Sequence, residues 1–271
     1  MRFYSAKKTA LVLGGGAARG LAHLGILKVF RREGIKFDLV IGSSIGALFA
    51  AVWALELDLE EVEKRALQVT ARDILDITIS RMGLCKGNKL EYLITSTLQS
   101  KKFEDIKMPL FISTTDVEAG NSIIHTSGNL TQVIKASCSI AGVFNPVRID
   151  GHLLVDGGIT NNIPVLAAKR YGATHVVAAD VGYCVRKSGI NNMLNVIIQA
   201  IQIMGDRLNT YETKDADIVL RPELHEINQT EFDKAREIIR KGEEVAKRYV
   251  GRIKRLTGKG MLKRGMGLLW E

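Results

Sequence analysis

The 271-residue sequence has few cysteines, no CxxC pair and no long hydrophobic run. Its three cysteines, Cys85, Cys138 and Cys184, are scattered along the chain, so neither a disulfide framework nor a zinc site is expected. Small buried thiols in a reducing compartment are the better interpretation. No stretch approaches the roughly 20 apolar residues that cross a membrane, and three glycines interrupt the signal-like apolar run at residues 9–13. We therefore expect a cytoplasmic protein.

Acidic residues are scarce in one segment near the C-terminus. The segment from Asp233 to Arg264 contains twelve Lys and Arg residues but only four Asp and Glu residues. The difference accounts for eight of the nine net positive charges of the chain. Apolar positions interleave with the basic ones, a pattern that predicts a basic amphipathic helix within residues 230–264. These apolar positions are Ile238, Ile239, Val245, Tyr249, Ile253 and Leu256.

Two interpretations of this basic segment stay open. The helix could lie peripherally on an anionic membrane, at its inner face. Alternatively, it is a solvated helix whose apolar face packs on the domain, and this interpretation is preferred. A nucleic-acid partner is not expected, because no recognisable nucleic-acid-binding module accompanies the charge. The sequence indicates no particular oligomeric state.

The N-terminal part of the chain reads as two consecutive strand–turn–helix units. An apolar strand at residues 9–13 and a glycine turn precede a helical pattern at 17–32. A second apolar strand at 37–41 leads through a glycine-flanked turn at 42–46 into a helix at 47–55. Two such units in succession predict a mainly parallel central sheet with helices on both faces, a three-layer α/β/α sandwich.

The rest of the chain continues this α/β pattern less regularly, and no repeat or linker divides it. We therefore expect a single domain over residues 1–271. Residues 70–108 are an irregular insertion, and a two-residue hairpin turn is predicted at Asp150-Gly151. The other predicted elements are helices at 59–69, 89–99, 130–139, 165–171 and 193–213 and strands at 109–116, 122–126, 174–180 and 218–220.

The pentapeptide Gly42-Ser43-Ser44-Ile45-Gly46 fits the G-x-S-x-G pattern and joins a buried strand to a helix. In that context the central serine sits on a tight, strained turn with its hydroxyl exposed. The helix that begins at Ile45 directs its N-terminal N–H groups toward an oxyanion there. Ser44 is therefore the candidate nucleophile. The alternative is a structural turn in which Ser44 only caps the helix.

A second glycine-rich turn, Gly14-Gly-Gly-Ala-Ala-Arg-Gly20, lies between the first strand and the first helix. It is not a nucleotide-binding motif, because Arg19 stands where G-x-G-x-x-G needs its third glycine and no Walker lysine follows. A glycine loop at a helix N-terminus binds anions through its backbone amides. If its strand is the neighbour of the Ser44 strand, these amides would supply an oxyanion hole. Arg19 could hold a phosphate or pin the loop, and the structural role is preferred.

A serine nucleophile needs a base, and no histidine stands out as one. Only His225 follows Ser44 in the order and setting of an α/β-hydrolase triad, whereas packing roles are favoured for His23 and His175. Asp156 follows a strand and precedes two glycines. An aspartate pKa of about 3.9 makes a poor base at neutral pH, but apolar surroundings could raise the pKa toward the working range. Asp156 is the better candidate, and a plain Asx-turn aspartate is its structural alternative.

Four blocks together resemble the patatin-like phospholipase family. They are residues 14–20, 42–46, 136–146 and 156–164, in the family's order. The resemblance runs from about residue 7 to residue 181, and the chain resembles the compact bacterial members of the family. It implies the patatin-like form of the α/β/α sandwich, with the nucleophile on a strand–turn–helix elbow.

The resemblance also implies a catalytic dyad of Ser44 and Asp156 in place of a triad. The implied reaction is hydrolysis of lipid acyl esters through an acyl-serine, without a metal or cofactor. Ala141 and Asn145 stand where the family commonly has proline, in a loop that shapes the fit of the substrate. The implied site includes an oxyanion hole from the amides of Gly14, Gly15 and Gly16, with Arg19, Ile45 and Gly157 in supporting positions.

Two other functions stay open beside this one. The first is an α/β-hydrolase-type esterase that uses Ser44, an aspartate and His225 as a triad. The second is a non-catalytic protein whose glycine loop binds an anionic lipid headgroup.

Overall fold

The computed structural model of the chain describes residues 7–78, 80–182 and 193–258. Cys184 and residues 259–264 of the predicted basic segment lie outside this part of the chain. The strands are β1 (Thr9–Leu13), β2 (Leu39–Ser43), β3 (Gly83–Cys85), β4 (Leu110–Asp116), β5 (Asn121–His125), β6 (Gly142–Phe144), β7 (Val147–Ile149), β8 (His152–Asp156), β9 (His175–Ala179) and β10 (Ile218–Leu220). The α-helices are α1 (Ala22–Arg32), α2 (Ile45–Ala54), α3 (Leu59–Ala66), α4 (Asn88–Thr97), α5 (Leu130–Ser137), α6 (Val165–Arg170), α7 (Met193–Glu212) and α8 (Ala235–Leu256). None of these helices is long and apolar enough, within the described residues, to cross a membrane.

Eight strands of the described chain form the central sheet, in the order β10-β9-β1-β2-β4-β8-β7, with β5 on the other side of β4. The first five strands in this order are parallel to one another, whereas β5, β8 and β7 pair in antiparallel fashion. The predicted mainly parallel sheet is therefore confirmed. The short strands β3 and β6 pair with each other in a separate parallel sheet.

Alternate residues of the parallel strands point to opposite faces of the sheet, and both faces are buried. On β1, Leu11 and Leu13 join the apolar core that includes residues of α1, α2, α5 and α8. Ala10 and Val12 join a second core that includes residues of α6. A sheet covered on both faces needs such continuously apolar strands. The three-layer arrangement follows from this alternation.

The strand β4 brings the ends of β2 and β8 together. β2 runs parallel to β4 and ends at Ser43 opposite Ser113, whereas β8 runs antiparallel and ends at Asp156 opposite Thr114. Both strands lie along the same edge of β4 and run toward each other, so their C-terminal ends lie next to each other. The turn that follows Ser43 and the turn that follows Asp156 therefore come to one place.

The predicted elements occur, with shifts of a few residues at their ends. The hairpin turn is confirmed, because Asp150 and Gly151 have positive φ values of 50° and 86° and join β7 to β8. The first helix opens with a 3-10 turn at Ala17–Leu21 before the α-helix begins. The strand β3 within the insertion at 70–108 is a feature that the sequence pattern does not predict.

The basic helix α8 packs along α1 at close range. A β-carbon on Gly242 would overlap the carbonyl oxygen of Ala22, and one on Gly25 would overlap the carbonyl oxygen of Ile239. The preferred interpretation, a helix packed on the domain, is thus confirmed for α8. The apolar positions Ile238, Ile239, Val245 and Ile253 are buried, and Tyr249 and Leu256 are partly buried.

Gly242→Ala should destabilise the protein, because the new methyl group would overlap the backbone of α1. Overpacking typically costs about 1–3 kcal/mol, and alanine gains roughly 1 kcal/mol over glycine in a helix. Gly251→Ala is the matched control on the same helix, since the nearest atom to a β-carbon there is Arg255 Nη1 at 3.9 Å. This control should raise stability slightly. Urea unfolding measures both variants, and equal stability of the two would contradict the close packing.

Candidate active site

Ser44 stands at the tip of a strained turn between β2 and α2. Its φ of 54° and ψ of −132° are unfavourable for a residue with a β-carbon. The turn is tight, because a β-carbon on Gly42 would overlap the backbone of Gly46, and one on Gly46 would overlap the carbonyl oxygen of Leu13. The sharp turn holds the Ser44 side chain at the edge of a buried site.

The Ser44 hydroxyl donates a hydrogen bond of 2.6 Å to Asp156 Oδ2. The other carboxylate oxygen, Asp156 Oδ1, accepts the amide of Gly158 at 2.7 Å. Gly157, a predicted supporting position, allows this close approach, because a β-carbon there would lie 2.5 Å from the carbonyl oxygen of Ser113. The structure thus brings the two residues of the expected dyad into direct contact.

Burial raises the pKa of Asp156 from its usual value of 3.8 to about 6, although the hydrogen bonds from Ser44 and Gly158 favour the charged form. At neutral pH the carboxyl group is therefore ionised. A base with a pKa near the working pH accepts a proton from an attacking hydroxyl better than an ordinary aspartate does. The pair has the geometry and the electrostatics of a nucleophile and its base.

The end of α5 braces both members of this pair. Ser137 Oγ accepts the amide of Ser44 at 2.8 Å and donates to a carbonyl oxygen of β4 at 2.6 Å. The carbonyl oxygen of Ser139 accepts the amide of Asp156 at 2.9 Å. Ser137 belongs to the motif block at residues 136–146, but the sequence does not indicate its role, because its two partners lie far away in the chain.

The alternative triad with His225 is not formed. The His225 side chain is 65% exposed, and its ring lies 3.6 Å from a carboxylate oxygen of Glu226. The Ser44 hydroxyl is bonded to Asp156 instead. The structure therefore corrects the histidine alternative, because the exposed His225 ring makes no contact with the Ser44 hydroxyl.

His23 has a structural role, as its place within the first helix predicts. Its Nε2 donates to the carbonyl oxygen of Gly14 at 2.7 Å. Burial lowers the pKa of His23 to about 4, so the ring is neutral and holds the glycine loop. Among the described residues, no group of three or more His, Cys, Asp or Glu side chains could hold a metal ion.

The glycine loop lies beside Ser44, but two of its predicted oxyanion donors have backbone partners. β1 is the direct neighbour of β2, as an oxyanion hole at this loop requires. The amide of Gly14 donates to the carbonyl oxygen of Ala179 at 3.1 Å, because the ladder between β1 and β9 continues into the loop. The amide of Gly15 donates to the carbonyl oxygen of Asn162 at 3.3 Å. The prediction that Gly14 and Gly15 donate to an oxyanion is therefore wrong, because both amides have backbone acceptors.

The next two amides of the loop remain for an oxyanion. In the part of the chain that the structure describes, no acceptor takes the backbone N–H of Gly16 or of Ala17. Ala17 has a positive φ of 48°, so the chain turns sharply at this point. The loop itself lies against the nucleophile, since a β-carbon on Gly15 would lie 2.9 Å from Ser44 Cβ. Gly16 therefore stays in the oxyanion proposal, and Ala17 joins it.

Arg19 links the glycine loop to two other segments of the chain. Its buried guanidinium donates to the carbonyl oxygens of Ile227 at 2.7 Å and Gly182 at 2.8 Å. These two carbonyls lie far along the chain on separate segments. These two hydrogen bonds agree with the structural interpretation of Arg19, which stays a prediction.

An apolar pocket of about 120 Å³ reaches Ser44 between α2, α3, α4 and the segment after α5. Ile45, a predicted supporting position, lines this pocket. Cys138 lines it as well, and burial raises the pKa of its thiol well above the usual value. A pocket with such a wall suits a hydrocarbon chain. Other apolar residues of the wall include Leu48, Phe49, Leu90, Ile94, Ile140 and Phe144.

Asn145 ties the insertion at 70–108 to the loop after β6. Its amide donates to the carbonyl oxygen of Cys85 at 2.9 Å, and its Oδ1 accepts the Ser80 hydroxyl at 2.6 Å. A proline at this position would lack the N–H group. Ala141 is half-buried just before β6, and nothing in the structure explains its difference from proline.

A family model described as patatin-like phospholipase matches residues 11–169, more than half of the chain. The chain belongs to the patatin-like phospholipase family. The matched range includes both Ser44 and Asp156, and it includes the glycine loop and the brace at the end of α5.

Curated relatives match 189 residues of the chain. Neuropathy target esterase sws of Drosophila melanogaster is 38% identical over 189 residues, which cover 67% of this chain and 13% of the relative. Patatin-like phospholipase domain-containing protein 6 of Homo sapiens is 36% identical over 189 residues, which cover 67% of this chain and 14% of the relative. The chain thus spans a small fraction of the length of these relatives.

A solved structure supports the fold. VipD from Legionella pneumophila aligns with a TM-score of 0.55 at 14% identity, over 91% of this chain and 67% of VipD. At this identity the likeness concerns the fold alone. The predicted patatin-like α/β fold is confirmed.

The reactivity of Ser44 should rise with pH through about 6, because Asp156 must be ionised to accept the hydroxyl proton. Below this pKa the protonated carboxyl cannot act as the base, and above it the rate should level off. The measurement is the rate constant for labelling by a fluorophosphonate on both sides of pH 6. Ser44→Ala gives the background, and Asp156→Asn should remove the pH step together with most of the reactivity. A labelling rate that stays constant across pH 6 would contradict this role.

Proposed function

We propose that this chain is a serine hydrolase that cuts acyl esters of lipids. One observation carries the proposal: the Ser44 hydroxyl donates at 2.6 Å to a buried carboxylate, beside an apolar pocket. Burial raises the pKa of that carboxylate, Asp156, to about 6. Membership of the patatin-like phospholipase family supports the reaction class, and the name of one relative, neuropathy target esterase, describes an ester hydrolase.

In the proposed reaction, Asp156 takes the hydroxyl proton as Ser44 Oγ attacks the ester carbonyl carbon. The amides of Gly16 and Ala17 and the positive N-terminal end of α2 stabilise the tetrahedral oxyanion. The intermediate collapses, the alcohol leaves with the proton from Asp156, and the acyl group stays on Ser44. Asp156 then takes a proton from a water molecule, which attacks the acyl-serine and releases the fatty acid. The proton returns to Ser44.

An acyl chain is the occupant that best matches the pocket beside Ser44. Transfer of hydrocarbon from water into an apolar wall contributes about 0.8 kcal/mol for each buried methylene group. The ester carbonyl would then lie at Ser44 and the polar remainder of the lipid outside. The proposed reaction needs no metal or cofactor.

A protein that only binds an anionic headgroup is the second candidate. The amides of Gly16 and Ala17 would suit a bound anion. However, an ionised Asp156 in contact with Ser44 would repel an anion at this loop. The strained backbone at Ser44 likewise has no role in a protein that only binds a ligand. The hydrolase proposal accounts for both features.

A fluorophosphonate probe should label the wild-type protein, and Ser44→Ala should abolish the labelling. Asp156→Asn should slow hydrolysis of a chromogenic short-chain ester by about 10²–10⁴-fold, the usual contribution of a general base. His225→Ala is the matched control and should leave hydrolysis unchanged. A wild-type protein that neither reacts with the probe nor hydrolyses the ester would favour the binding protein over the hydrolase.

We further propose that the basic C-terminal segment contacts anionic lipid through charge and not through insertion. The apolar face of α8 is buried against α1 and cannot enter a bilayer. Some of the charges of α8 are neutralised, as in the pair of Lys247 and Glu243 at 3.1 Å. Arg236 and Arg255 have no ion-pair partner within the described residues. These arginines are free to meet a lipid headgroup.

The proposed location is the cytoplasm, at the inner face of the membrane. The free, buried thiols of Cys85 and Cys138 support a reducing compartment.

Vesicles of phosphatidylcholine, with and without phosphatidylglycerol, distinguish charge from insertion. The protein should co-sediment with the anionic vesicles alone, and added salt should release it. Arg236→Gln with Arg255→Gln should weaken binding, by about fivefold for each charge, because a basic residue near an anionic surface contributes about 1 kcal/mol. Lys101→Gln with Lys107→Gln removes the same charge elsewhere and is the control. Equal binding to neutral vesicles, or no binding to either, would contradict the proposal.

A further inference from the structure

The glycine loop is held tightly between Ser44 and Asn162. A β-carbon on Gly15 would lie 2.9 Å from Ser44 Cβ on one side and 2.5 Å from Asn162 Oδ1 on the other. The amide of Gly15 also donates to the carbonyl oxygen of Asn162 at 3.3 Å. A shift of Asn162 would therefore move the loop relative to the nucleophile, since Gly15 has no free space to absorb it.

Two side chains of α7 hold Asn162 and its neighbour from the far side. Asn162 Nδ2 donates to Asn209 Oδ1 at 2.8 Å, and the amide of Ile163 donates to Glu212 Oε2 at 2.7 Å. Asn162, Asn209 and Glu212 are 1%, 3% and 6% exposed. Burial also raises the pKa of Glu212 to about 7, as expected of a carboxyl group removed from water. A buried polar group that loses its hydrogen-bond partner destabilises the fold, so these contacts resist displacement.

Asp180 sets the direction of the hydrogen bonds that reach the loop. Asn209 Nδ2 donates to Asp180 Oδ1 at 3.1 Å, and Arg221 Nε donates to Asp180 Oδ2 at 3.0 Å. A carboxylate only accepts, so Asn209 must turn its oxygen toward Asn162. Asn162 then turns its nitrogen toward Asn209 and its oxygen toward Gly15. Within the described residues, no donor reaches that oxygen.

We propose that Asn209 and Glu212 are positioning residues of the acyl-transfer site, and that they act through Asn162 and Ile163 on the glycine loop. The proposal rests on the hydrolase function proposed above. It places part of the machinery on α7, which lies beyond the family-matched residues 11–169.

Loss of this support should affect the transition state more than the binding of the substrate. Neither the hydrogen bond between Ser44 and Asp156 nor the wall of the apolar pocket includes a residue of α7. The loop amides act on a charge that develops only as the reaction proceeds. Removal of one oxyanion donor typically lowers kcat by about 10²–10³-fold. Displacement of a donor should therefore lower kcat by part of that factor. We therefore expect kcat to fall and KM to stay constant.

The order of donors and acceptors gives a direct test. Asn209→Asp keeps the shape and the acceptor for Asn162, but it sets a second carboxylate against Asp180. The kcat for a soluble chromogenic ester should therefore fall by at least about tenfold. Addition of Asp180→Asn restores a donor to this pair and should recover most of the lost kcat. The pH step near 6 that belongs to Asp156 should stay in place in both proteins.

A second pair of variants tests the other contact. Glu212→Gln keeps an acceptor for the amide of Ile163 and should retain most of the activity. Glu212→Leu removes the acceptor and should lower kcat by at least about tenfold, again without a change in KM. Gln132→Leu is the control. It removes a partly buried hydrogen bond of 2.6 Å from Gln132 Nε2 on α5 to Glu91 Oε1 on α4, and neither residue belongs to the glycine loop. It should lower the Tm and leave kcat unchanged.

All rates refer to the folded fraction, measured by circular dichroism. Recovery of kcat in the double variant, or retention in Glu212→Gln with loss in Glu212→Leu, supports the positioning role. An active wild-type protein whose Asn209→Asp and Glu212→Leu variants keep the wild-type kcat would overturn that role alone. A wild-type protein without esterase activity would overturn the hydrolase function and this proposal with it.

Discussion

The hydrogen bond between the Ser44 hydroxyl and a buried carboxylate is the interaction on which the rest of the site depends. It forms because β2 and β8 end against one edge of β4 from opposite directions. Burial raises the pKa of Asp156 to about 6, which suits the proposed activation of Ser44 without a histidine. The strained turn at Ser44 and the brace at the end of α5 keep the two side chains in this contact.

The glycine loop is the second feature that fixes the geometry of the site, and its hydrogen bonds continue those of the central sheet. The amides of Gly14 and Gly15 continue the hydrogen bonding of β1 to β9 and to Asn162. The loop is thereby fixed at a short distance from Ser44, and the amides of Gly16 and Ala17 remain for the proposed oxyanion hole. Arg19 and His23 hold the same loop through backbone carbonyls. The proposed chemistry therefore depends on backbone geometry more than on additional charged side chains.

Features that depend on near neighbours in the chain could be predicted from the sequence. The turn of Ser44 and the parallel sheet follow from short apolar strands, glycine turns and helical patterns. The choice between Asp156 and His225 needed the family resemblance, because the pKa of an aspartate depends on burial by residues far away in sequence. The hydrogen-bond partners of Arg19 could not be predicted for the same reason, because they lie 163 and 208 residues downstream in the chain. The partner of the Gly14 amide likewise follows a distant strand, β9. The strands β3 and β6 have three residues each and begin with glycine, so neither forms the continuous apolar run that predicts the equally short β10.

The most direct test of the account is to locate the acyl group during turnover. Protein mixed with an activated acyl ester, stopped with acid and digested, can be mapped by mass spectrometry of its peptides. The acyl mass should appear on the peptide that contains Ser44, and both this mass and hydrolysis should be lost in Ser44→Ala. Hydrolysis that persists in Ser44→Ala, with the acyl mass on another residue, would contradict it.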